Sequence, residues 1–292
     1  MSHLFNSVAI IGKAVKFSDP AVGRTIKQVA NLLQGHKLRV AVDANAAEFL
    51  NRPDYPPNDI KTLGETCDLA IVVGGDGTML SAARAFADYT IPLVGINQGR
   101  LGFLADITPD TLTDRLAEIL RGHFLMEERF LLHATILRDG DCIAESNAFN
   151  DVIVQKWNTA RMIEFDTFVN DRFINQQRSD GLIVSTPTGS TAYALSGGGP
   201  LLHPTLNAIA LVPICPHTLS NRPIVVNGEC RISIFLIDCN TDQAQLACDG
   251  QASFALREGD HIHIRKKETP VRLIHPACHD HFELLRAKLG WG

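Results

Sequence analysis

The residues with the clearest chemical potential form the run Gly74-Gly75-Asp76-Gly77-Thr78, which follows an apolar segment and precedes a helical pattern. Glycine at the end of a strand lets backbone N–H groups approach phosphate oxygens, and the start of a helix favours negative charge. A carboxylate in such a loop can hold Mg²⁺ or accept a proton from a hydroxyl group. The alternative is a glycine-rich turn in which Asp76 caps the helix, and spacing alone favours neither.

A second candidate region begins at Arg178-Ser179-Asp180-Gly181 and continues through an apolar strand into Thr186-Pro187-Thr188-Gly189-Ser190-Thr191-Ala192-Tyr193. The turn is rich in hydroxyl groups, which can bind ribose or phosphate oxygens. Ser, Thr, Pro and Gly also build ordinary turns, and for any single residue that structural role is the stronger interpretation. The density of such residues favours a binding function for the region as a whole.

Two shorter features add polar groups. Asn150-Asp151 precedes a strand and could contact an adenine edge or a ribose diol, although an Asx-type turn is the stronger alternative. Asp249-Gly250 indicates a β-hairpin turn more strongly than it indicates a binding site, and Gln251 follows directly after it. The sequence has no GxxxxGK or GxGxxG loop, no HExxH spacing among its eleven histidines and no GxSxG nucleophile turn.

The elements that must position these residues follow two patterns. Up to about residue 127, short apolar strands alternate with helical spacing: strands at 8–11, 38–42, 69–73 and 93–96, and helices at 21–33, 78–87 and 110–120. This alternation predicts a Rossmann-like α/β domain with a parallel sheet. From residue 128 to 276, short β-type segments recur with few helices, which predicts a β-sandwich-type domain. These segments are 131–137, 152–154, 163–169, 182–184, 209–212, 224–226, 231–237, 245–248, 261–265 and 271–274. Residues 277–292 contain a weak helical pattern that we expect to return to the first domain.

Composition narrows the class of protein. The chain has 292 residues, 45% of them hydrophobic and 20% charged, which is ordinary for two globular domains. The net charge of −5 argues against general nucleic-acid binding. Seven cysteines without CxxC pairing favour a reducing cytoplasm, and most are predicted to be core residues. We expect neither a signal sequence nor a membrane-spanning segment.

Taken together, GGDGT at 74–78, ND at 150–151 and SDGLIVSTPTGSTAY at 179–193 resemble the NAD kinase family over nearly the whole chain. Gly95-Ile96-Asn97 and Leu101-Gly102-Phe103-Leu104 extend the resemblance. Looser forms of GGDGT occur in phosphofructokinases and in diacylglycerol- and sphingosine-type lipid kinases, whereas TPTGSTAY is far more specific. The resemblance implies an α/β domain followed by an all-β domain. It also implies transfer of the ATP γ-phosphoryl group to the 2′-hydroxyl of the adenosine ribose of NAD, with a divalent metal such as Mg²⁺, giving NADP.

The resemblance also implies roles for individual residues. Asp76 is similar to the catalytic aspartate, and the loop that would bind the phosphates of ATP consists of Gly74, Gly75, Gly77 and Thr78. The residues that resemble NAD-binding positions of the family are Asp76, Gly77, Asn150, Asp151, Arg161, Arg178, Asp180, Thr191, Ala192, Tyr193, Ala194, Leu195, Ser196 and Gln251. A smaller hypothesis is that the charge of Arg178 discriminates oxidised from reduced nicotinamide.

Two other functions remain open at this stage. A lipid kinase would share the GGDG loop, but it should carry a membrane-facing apolar or basic segment, and none is readable here. A non-catalytic NAD(P) sensor would not need Asp76 within a complete motif. The expected partners are therefore the small molecules NAD and ATP, with no nucleic acid and no membrane. The family resemblance suggests a homodimer or homotetramer, and the cysteine usage suggests the cytoplasm.

Overall fold

The computed structural model describes residues 4–14, 19–99, 102–238 and 243–291. The chain divides into two compact units, one formed by residues 1–128 with 271–292 and the other by residues 129–270. Leu101 and Cys239 lie outside the described residues. Among the described helices, none has both the length and the apolar character needed to cross a membrane.

The first unit is an α/β domain built on one six-stranded sheet with the order β2-β1-β3-β4-β18-β5. The pairs from β2 through to β18 are parallel. Its strands are β1 (Ser7–Gly12), β2 (Arg39–Val42), β3 (Leu69–Gly74), β4 (Leu93–Asn97), β5 (Phe124–Arg129) and β18 (Val271–Pro276). Its helices are α1 (Pro20–Gly35), α2 (Ala44–Leu50), α3 (Ile60–Thr66), α4 (Asp76–Ala85), α5 (Leu112–Leu120) and α7 (His281–Leu289).

Local sequence explains the central layer of this unit. Every residue of β1 and β3 is buried, as expected for inner strands of a parallel sheet covered by helices. Helix α1 starts with a proline in its first turn after Asp19, whose side chain accepts a hydrogen bond from the Ala21 N–H. Its buried face packs into the same apolar core as β1 and β3. The carboxyl ends of β1, β2 and β3 consequently lie along one edge of the sheet.

The second unit consists of two six-stranded sheets, with the orders β10-β9-β14-β17-β6-β7 and β13-β12-β11-β8-β15-β16. Apolar side chains from both sheets form one shared core, so the unit is a β-sandwich. The elements are β6 (Leu132–Arg138), β7 (Asp141–Ala148), β8 (Asp151–Lys156), β9 (Ile163–Val169), β10 (Arg172–Ser179), β11 (Gly181–Ser185), α6 (Tyr193–Ser196), β12 (Ala208–Ile214), β13 (Ile224–Asn227), β14 (Ile232–Asp238), β15 (Ala244–Cys248), β16 (Ala252–Leu256) and β17 (His261–Lys266).

The predicted α/β domain and β-sandwich are both present, and the chain end returns to the first unit as predicted. The predicted domain boundary at residue 276 differs from the structure, because β18 joins the sheet of the first unit beside β4. Helix α4 spans 76–85 instead of 78–87. The expectation of mostly buried cysteines was wrong: of the six in the described residues, only Cys67 and Cys248 are buried.

Candidate functional site

The glycine-rich loop joins β3 to α4 at the carboxyl edge of the parallel sheet. Gly74 ends the strand, Gly75 is the N-cap of the helix, and Asp76 is the first helical residue. The N-cap residue is a glycine and so has no side chain with which to cap the helix. The interpretation of Asp76 as the N-cap residue was therefore wrong, and the backbone N–H groups at the start of α4 are presented at the loop.

The Asp76 carboxylate is anchored by a distant segment of the same unit. Its Oδ2 accepts a hydrogen bond from the Phe103 N–H at 2.8 Å, and its Oδ1 accepts from Leu104 and Ala105 at 3.0 and 3.3 Å. A side chain at Gly102 would bring Cβ to 2.0 Å from Asp76 Oδ1, so glycine is required for this approach. Because a carboxylate oxygen accepts about two hydrogen bonds, Oδ1 is saturated and Oδ2 retains one lone pair for another partner.

A cavity of about 580 Å³ lies beside the loop, within the first unit. Its wall includes the ends of β1, β2 and β3 and the first turns of α4, with Gly12, Lys13, Asp43, Asn45, Gly75, Gly77, Thr78 and Ser81 among the lining residues. In an open α/β sheet, ligands bind outside the carboxyl ends of the strands. The cavity therefore occupies the position where a phosphate-bearing ligand would meet both the glycine loop and the N-terminus of α4.

Asp43 lines this cavity, and its hydrogen bonds hold the adjacent backbone in place. The sequence patterns did not indicate Asp43 as a site residue. Its Oδ1 accepts hydrogen bonds from the Gly12 N–H at 3.0 Å and the Ala46 N–H at 2.7 Å, so it caps α2 and holds the end of β1. Burial raises the pKa of Asp43 above its ordinary value, although these backbone donors act to lower it. The signal that could have found it is its position directly after β2, at the same sheet edge as the glycine loop.

The second unit gathers three of the predicted features at one end of its inner strands. The Thr186 N–H donates to the Asn150 carbonyl oxygen at 2.9 Å. The Asp249 carboxylate accepts from the N–H groups of three consecutive residues, Phe149, Asn150 and Asp151, at 2.9, 2.7 and 3.2 Å. The Asn-Asp pair, the Thr-Pro-Thr-Gly turn and the Asp-Gly hairpin thus form one cluster.

Asp151 is the electrostatically unusual member of this cluster. Its side chain belongs to the buried polar residues, with 3% of the residue exposed. Burial, and then the nearby charge of Asp249, raise the pKa of Asp151 to about 7. A carboxyl group that changes protonation state near neutral pH is characteristic of functional sites, although structural networks produce the same effect.

Most hydroxyl groups of the 185–191 segment have structural partners. Ser185 Oγ donates to the Thr186 carbonyl, Thr186 Oγ1 donates to the Phe149 carbonyl, and Ser190 Oγ donates to the Pro187 carbonyl, at 2.9, 2.7 and 2.6 Å. Thr191 Oγ1 donates to the Thr188 carbonyl at 3.3 Å but is only partly buried. Within the turn, Thr186 and Ser190 therefore have hydrogen bonds of the kind that a structural role requires.

Asp180 lies away from this cluster. In the β8–β11 pair, Asp151 faces Ser185 at one end and Gln155 faces Gly181 at the other, so Asp180 lies about 17 Å from the cluster along the strands. There it forms an ion pair of 2.8 Å with Lys156, and each side chain is 27% exposed. Lys156 was not singled out from the sequence, and its apolar strand gives no signal of this role.

The other predicted contacts have varied exposure. Arg178 is 60% exposed with its Nε 3.7 Å from a Glu164 carboxylate oxygen, and Arg161 is exposed. Ala194 is buried, Thr191, Ala192 and Leu195 are half-buried, and the exposed members of the set are Tyr193, Ser196 and Gln251. The hairpin prediction for 249–250 is confirmed, since Asp249 and Gly250 both have positive φ and join β15 to β16.

Each of the two units contains a segment that matches a known protein-family domain. Residues 14–124 match the ATP-NAD kinase N-terminal domain, and residues 149–276 match the ATP-NAD kinase C-terminal domain. A protein named NAD kinase from Nitrosococcus oceani is 48% identical over 292 residues, which cover 100% of this chain and 99% of the relative. A second one, from Teredinibacter turnerae, is 46% identical over 98% of this chain and 97% of the relative.

Solved structures give the same fold. The yeast NADH kinase complexed with NADH has a TM-score of 0.87 at 23% identity, covering 98% of this chain and 88% of its own. An NAD kinase from Archaeoglobus fulgidus in complex with ATP has a TM-score of 0.76 at 25% identity, covering 96% of this chain and 99% of its own. The yeast structure supports the fold alone, while the full-length relatives carry the family assignment.

Proposed function

The chain belongs to the NAD kinase family, and we propose how its own residues divide the work of that reaction. The activity is ATP-dependent phosphorylation of NAD to NADP, in which the γ-phosphoryl group passes to the 2′-hydroxyl of the adenosine ribose. Phosphoryl transfer depends mainly on positioning and electrostatic stabilisation, which suits a chain without a nucleophile motif. Full-length relatives named NAD kinase leave the lipid-kinase and sensor alternatives without support.

Asp76 is proposed to accept the proton of the attacking hydroxyl group. The backbone donors at 103–105 fix its carboxylate, and Oδ2 keeps one acceptor position. A base held in one orientation by protein donors needs no reorganisation when the substrate arrives. The fixed Oδ2 is the single observation that carries this role.

The donor phosphates are proposed to bind in the cavity of about 580 Å³ beside the loop. Gly75, Gly77 and Thr78 line the cavity at the N-terminus of α4, an end of a helix that favours anions. Lys13 is an exposed residue of the cavity wall and adds a positive charge at the end of β1.

The proposed divalent metal fits the oxygen donors of this loop. Mg²⁺ prefers oxygen ligands and is commonly held by one or two carboxylates together with substrate phosphates. Asp76 Oδ2 has one acceptor position left, so when Asp76 acts as the base the ion would be held by the substrate phosphates, and an Asp76 that holds the ion would not act as the base. The ion would supply neutralisation of charge on the transferred phosphoryl group.

NAD is proposed to contact the cluster of the second unit, with Asn150 and Asp151 facing the adenosine part. The remaining NAD-binding residues are proposed on the family resemblance alone: Gly77, Arg161, Arg178, Asp180, Thr191, Ala192, Tyr193, Ala194, Leu195, Ser196 and Gln251. The resemblance also leads us to propose a homodimer or homotetramer, which light scattering of the purified protein would test. The cysteine usage leads us to propose a cytoplasmic location, which localisation of the tagged chain would test.

The experiment that tests the assignment is NADP formation from NAD and ATP with Mg²⁺, measured through an NADP-specific dehydrogenase. Asp76→Asn should lower kcat on the order of 10²–10⁴-fold. The amide also puts an N–H group against backbone donors at 103–105, so a thermal melt must accompany the kinetics. Asp110→Asn, at an exposed position of the same unit, is the matched control. Near wild-type kcat in a folded Asp76→Asn variant would remove Asp76 as the base.

A further inference from the structure

A second polar cluster lies in the first unit, where the chain end meets the loop after β4. Asp106 Oδ2 lies 2.9 Å from His275 Nδ1 and 2.8 Å from His279 Nδ1. The two imidazole rings are stacked, with centroids 4.1 Å apart and planes 25° from parallel. Sequence spacing did not reveal this cluster, because Asp106 is 169 residues from His275 along the chain.

The cluster is buried and incompletely hydrogen-bonded. The side chains of His275, His279 and Asp106 are 1%, 6% and 12% exposed. Asp106 Oδ1, His275 Nε2 and His279 Nε2 are buried without a hydrogen-bond partner in the part of the chain that the structure describes. Unpaired buried polar atoms are uncommon and mark the cluster as unusual, while the atoms that converge within it are Asp106 Oδ2 and the two Nδ1 atoms.

We propose that Asp106, His275 and His279 bind a divalent first-row transition metal such as Zn²⁺. One ligand atom from each residue lies within 4.8 Å of the others. Two imidazole nitrogens and one carboxylate oxygen are a common donor set for such ions, with an open fourth position. The set contains two nitrogens, which separates it from the all-oxygen environment that Mg²⁺ prefers.

The ion displaces the two Nδ1 protons that are hydrogen-bonded to Asp106 Oδ2, and the ligand atoms need to move only slightly. Tetrahedral Zn²⁺ with bonds of about 2.0–2.1 Å places its ligand atoms about 3.3 Å apart, so each Nδ1···Oδ2 distance widens by about half an ångström. Binding through Nδ1 leaves the proton on Nε2. For His275 that proton then faces Glu127 Oε2, 4.0 Å away, which is the outer carboxylate that metal-bound histidines commonly have.

The surroundings allow a cation to enter. A cavity of about 280 Å³ adjoins the cluster and is lined by Asp106, His279, Cys278, Asp280 and Glu283 among others. Asp106 and His279 both line this cavity, so a water molecule entering from it would complete the coordination. The bound ion would link the segment before α7 to the loop that follows β4 through its coordination bonds.

Cobalt titration of the full-length, chelator-treated protein tests the proposal. Co²⁺ is added without nucleotide, so that the metal of the transfer reaction does not contribute, and the visible d–d bands are recorded. We expect saturation at about one Co²⁺ per chain, and a higher unfolding temperature with Zn²⁺. The cobalt bands and the rise in unfolding temperature should both disappear in His279→Gln and in Asp106→Asn. Asparagine at position 106 keeps an oxygen that accepts from the Nδ1 protons, so the Asp106→Asn variant should stay folded.

Two controls keep the result specific. His263→Gln removes an imidazole of the second unit outside the cluster, and Cys278→Ser removes the nearest thiol, so both should bind cobalt as the wild type does. Absence of the bands in the wild type would overturn the proposal. Equal binding in Asp106→Asn and His279→Gln, or loss of binding in His263→Gln, would also overturn it, because the ion would then lie elsewhere.

Discussion

Replacing Asp151 by asparagine should remove a large part of the pH dependence of folding stability. The buried Asp151 carboxyl has a pKa of about 7, against the ordinary 3.8, because of burial first and the charge of Asp249 second. The folded chain therefore holds a proton between pH 4 and 7 that the unfolded chain releases. Stability is highest below the unfolded pKa, falls as pH rises through this window, and is constant above the folded pKa.

The size of the effect follows from the difference between the two pKa values. A shift of about 3 units at 1.36 kcal/mol per unit gives a loss of up to ~4 kcal/mol between pH 4 and 8. Asparagine has nearly the same shape and cannot ionise. We therefore expect Asp151→Asn to be more stable than the wild type at pH 8, and close to it at pH 4.

Urea unfolding followed by circular dichroism at several pH values between 4 and 8 measures this difference directly. Asp141→Asn, at an exposed position of the same unit, is the control and should follow the wild-type curve. Parallel stability curves for the wild type and Asp151→Asn would refute the reasoning, since the proton would then be held by another group. If the carboxylate accepts from a ribose hydroxyl, the wild-type KM for NAD should also fall as pH rises towards 7.

Three further substitutions test individual contacts. Gly102→Ala places Cβ 2.0 Å from Asp76 Oδ1, so kcat should fall about 10²-fold while circular dichroism stays native. Asp43→Ala removes the cap of α2, and thermal unfolding should report a loss of about 1–2 kcal/mol with a raised KM for ATP. Lys156→Met leaves Asp180 without its cation, and urea unfolding should show a loss of about 1–2 kcal/mol that Asp180→Asn partly restores.

The sequence predicted the inner strands well and the edge strands poorly. The strands not predicted are β5, β7, β10 and β16, and each lies at the edge of its sheet. An edge strand is covered less completely, so its apolar pattern is weak. The exposed and polar run Arg172–Ser179 illustrates this, as does Asp141–Ala148. Inner strands such as Leu69–Gly74 are buried on both faces and read as continuous apolar runs.

The candidate site was predictable as separate motifs but not as a set of contacts. Glycine and aspartate at 74–78 mark the end of a strand by local rules. The partners of Asp76 at 103–105 depend on how the loop after β4 folds back, which local sequence does not encode. The same holds for Lys156 beside Asp180, where the lysine lies at the end of an otherwise apolar strand.

A comparison of Asp76 with Asp249 separates the effect of losing backbone hydrogen bonds from the effect of losing a catalytic base. Each carboxylate accepts hydrogen bonds from three consecutive backbone N–H groups of a distant segment, at 103–105 and at 149–151. Substitution by asparagine removes similar contacts in both cases, with a cost of about 1–3 kcal/mol in stability.

The kinetic effects of the two substitutions should nevertheless differ. Asp249→Asn loosens the cluster that includes Asp151, so it should raise the KM for NAD and leave kcat within a few-fold of the wild type. Asp76→Asn should lose the same order of stability and, in addition, lower kcat on the order of 10²–10⁴-fold. That additional loss measures the chemical role of Asp76. If both variants lost kcat equally, anchoring alone would account for the aspartate of the glycine-rich loop.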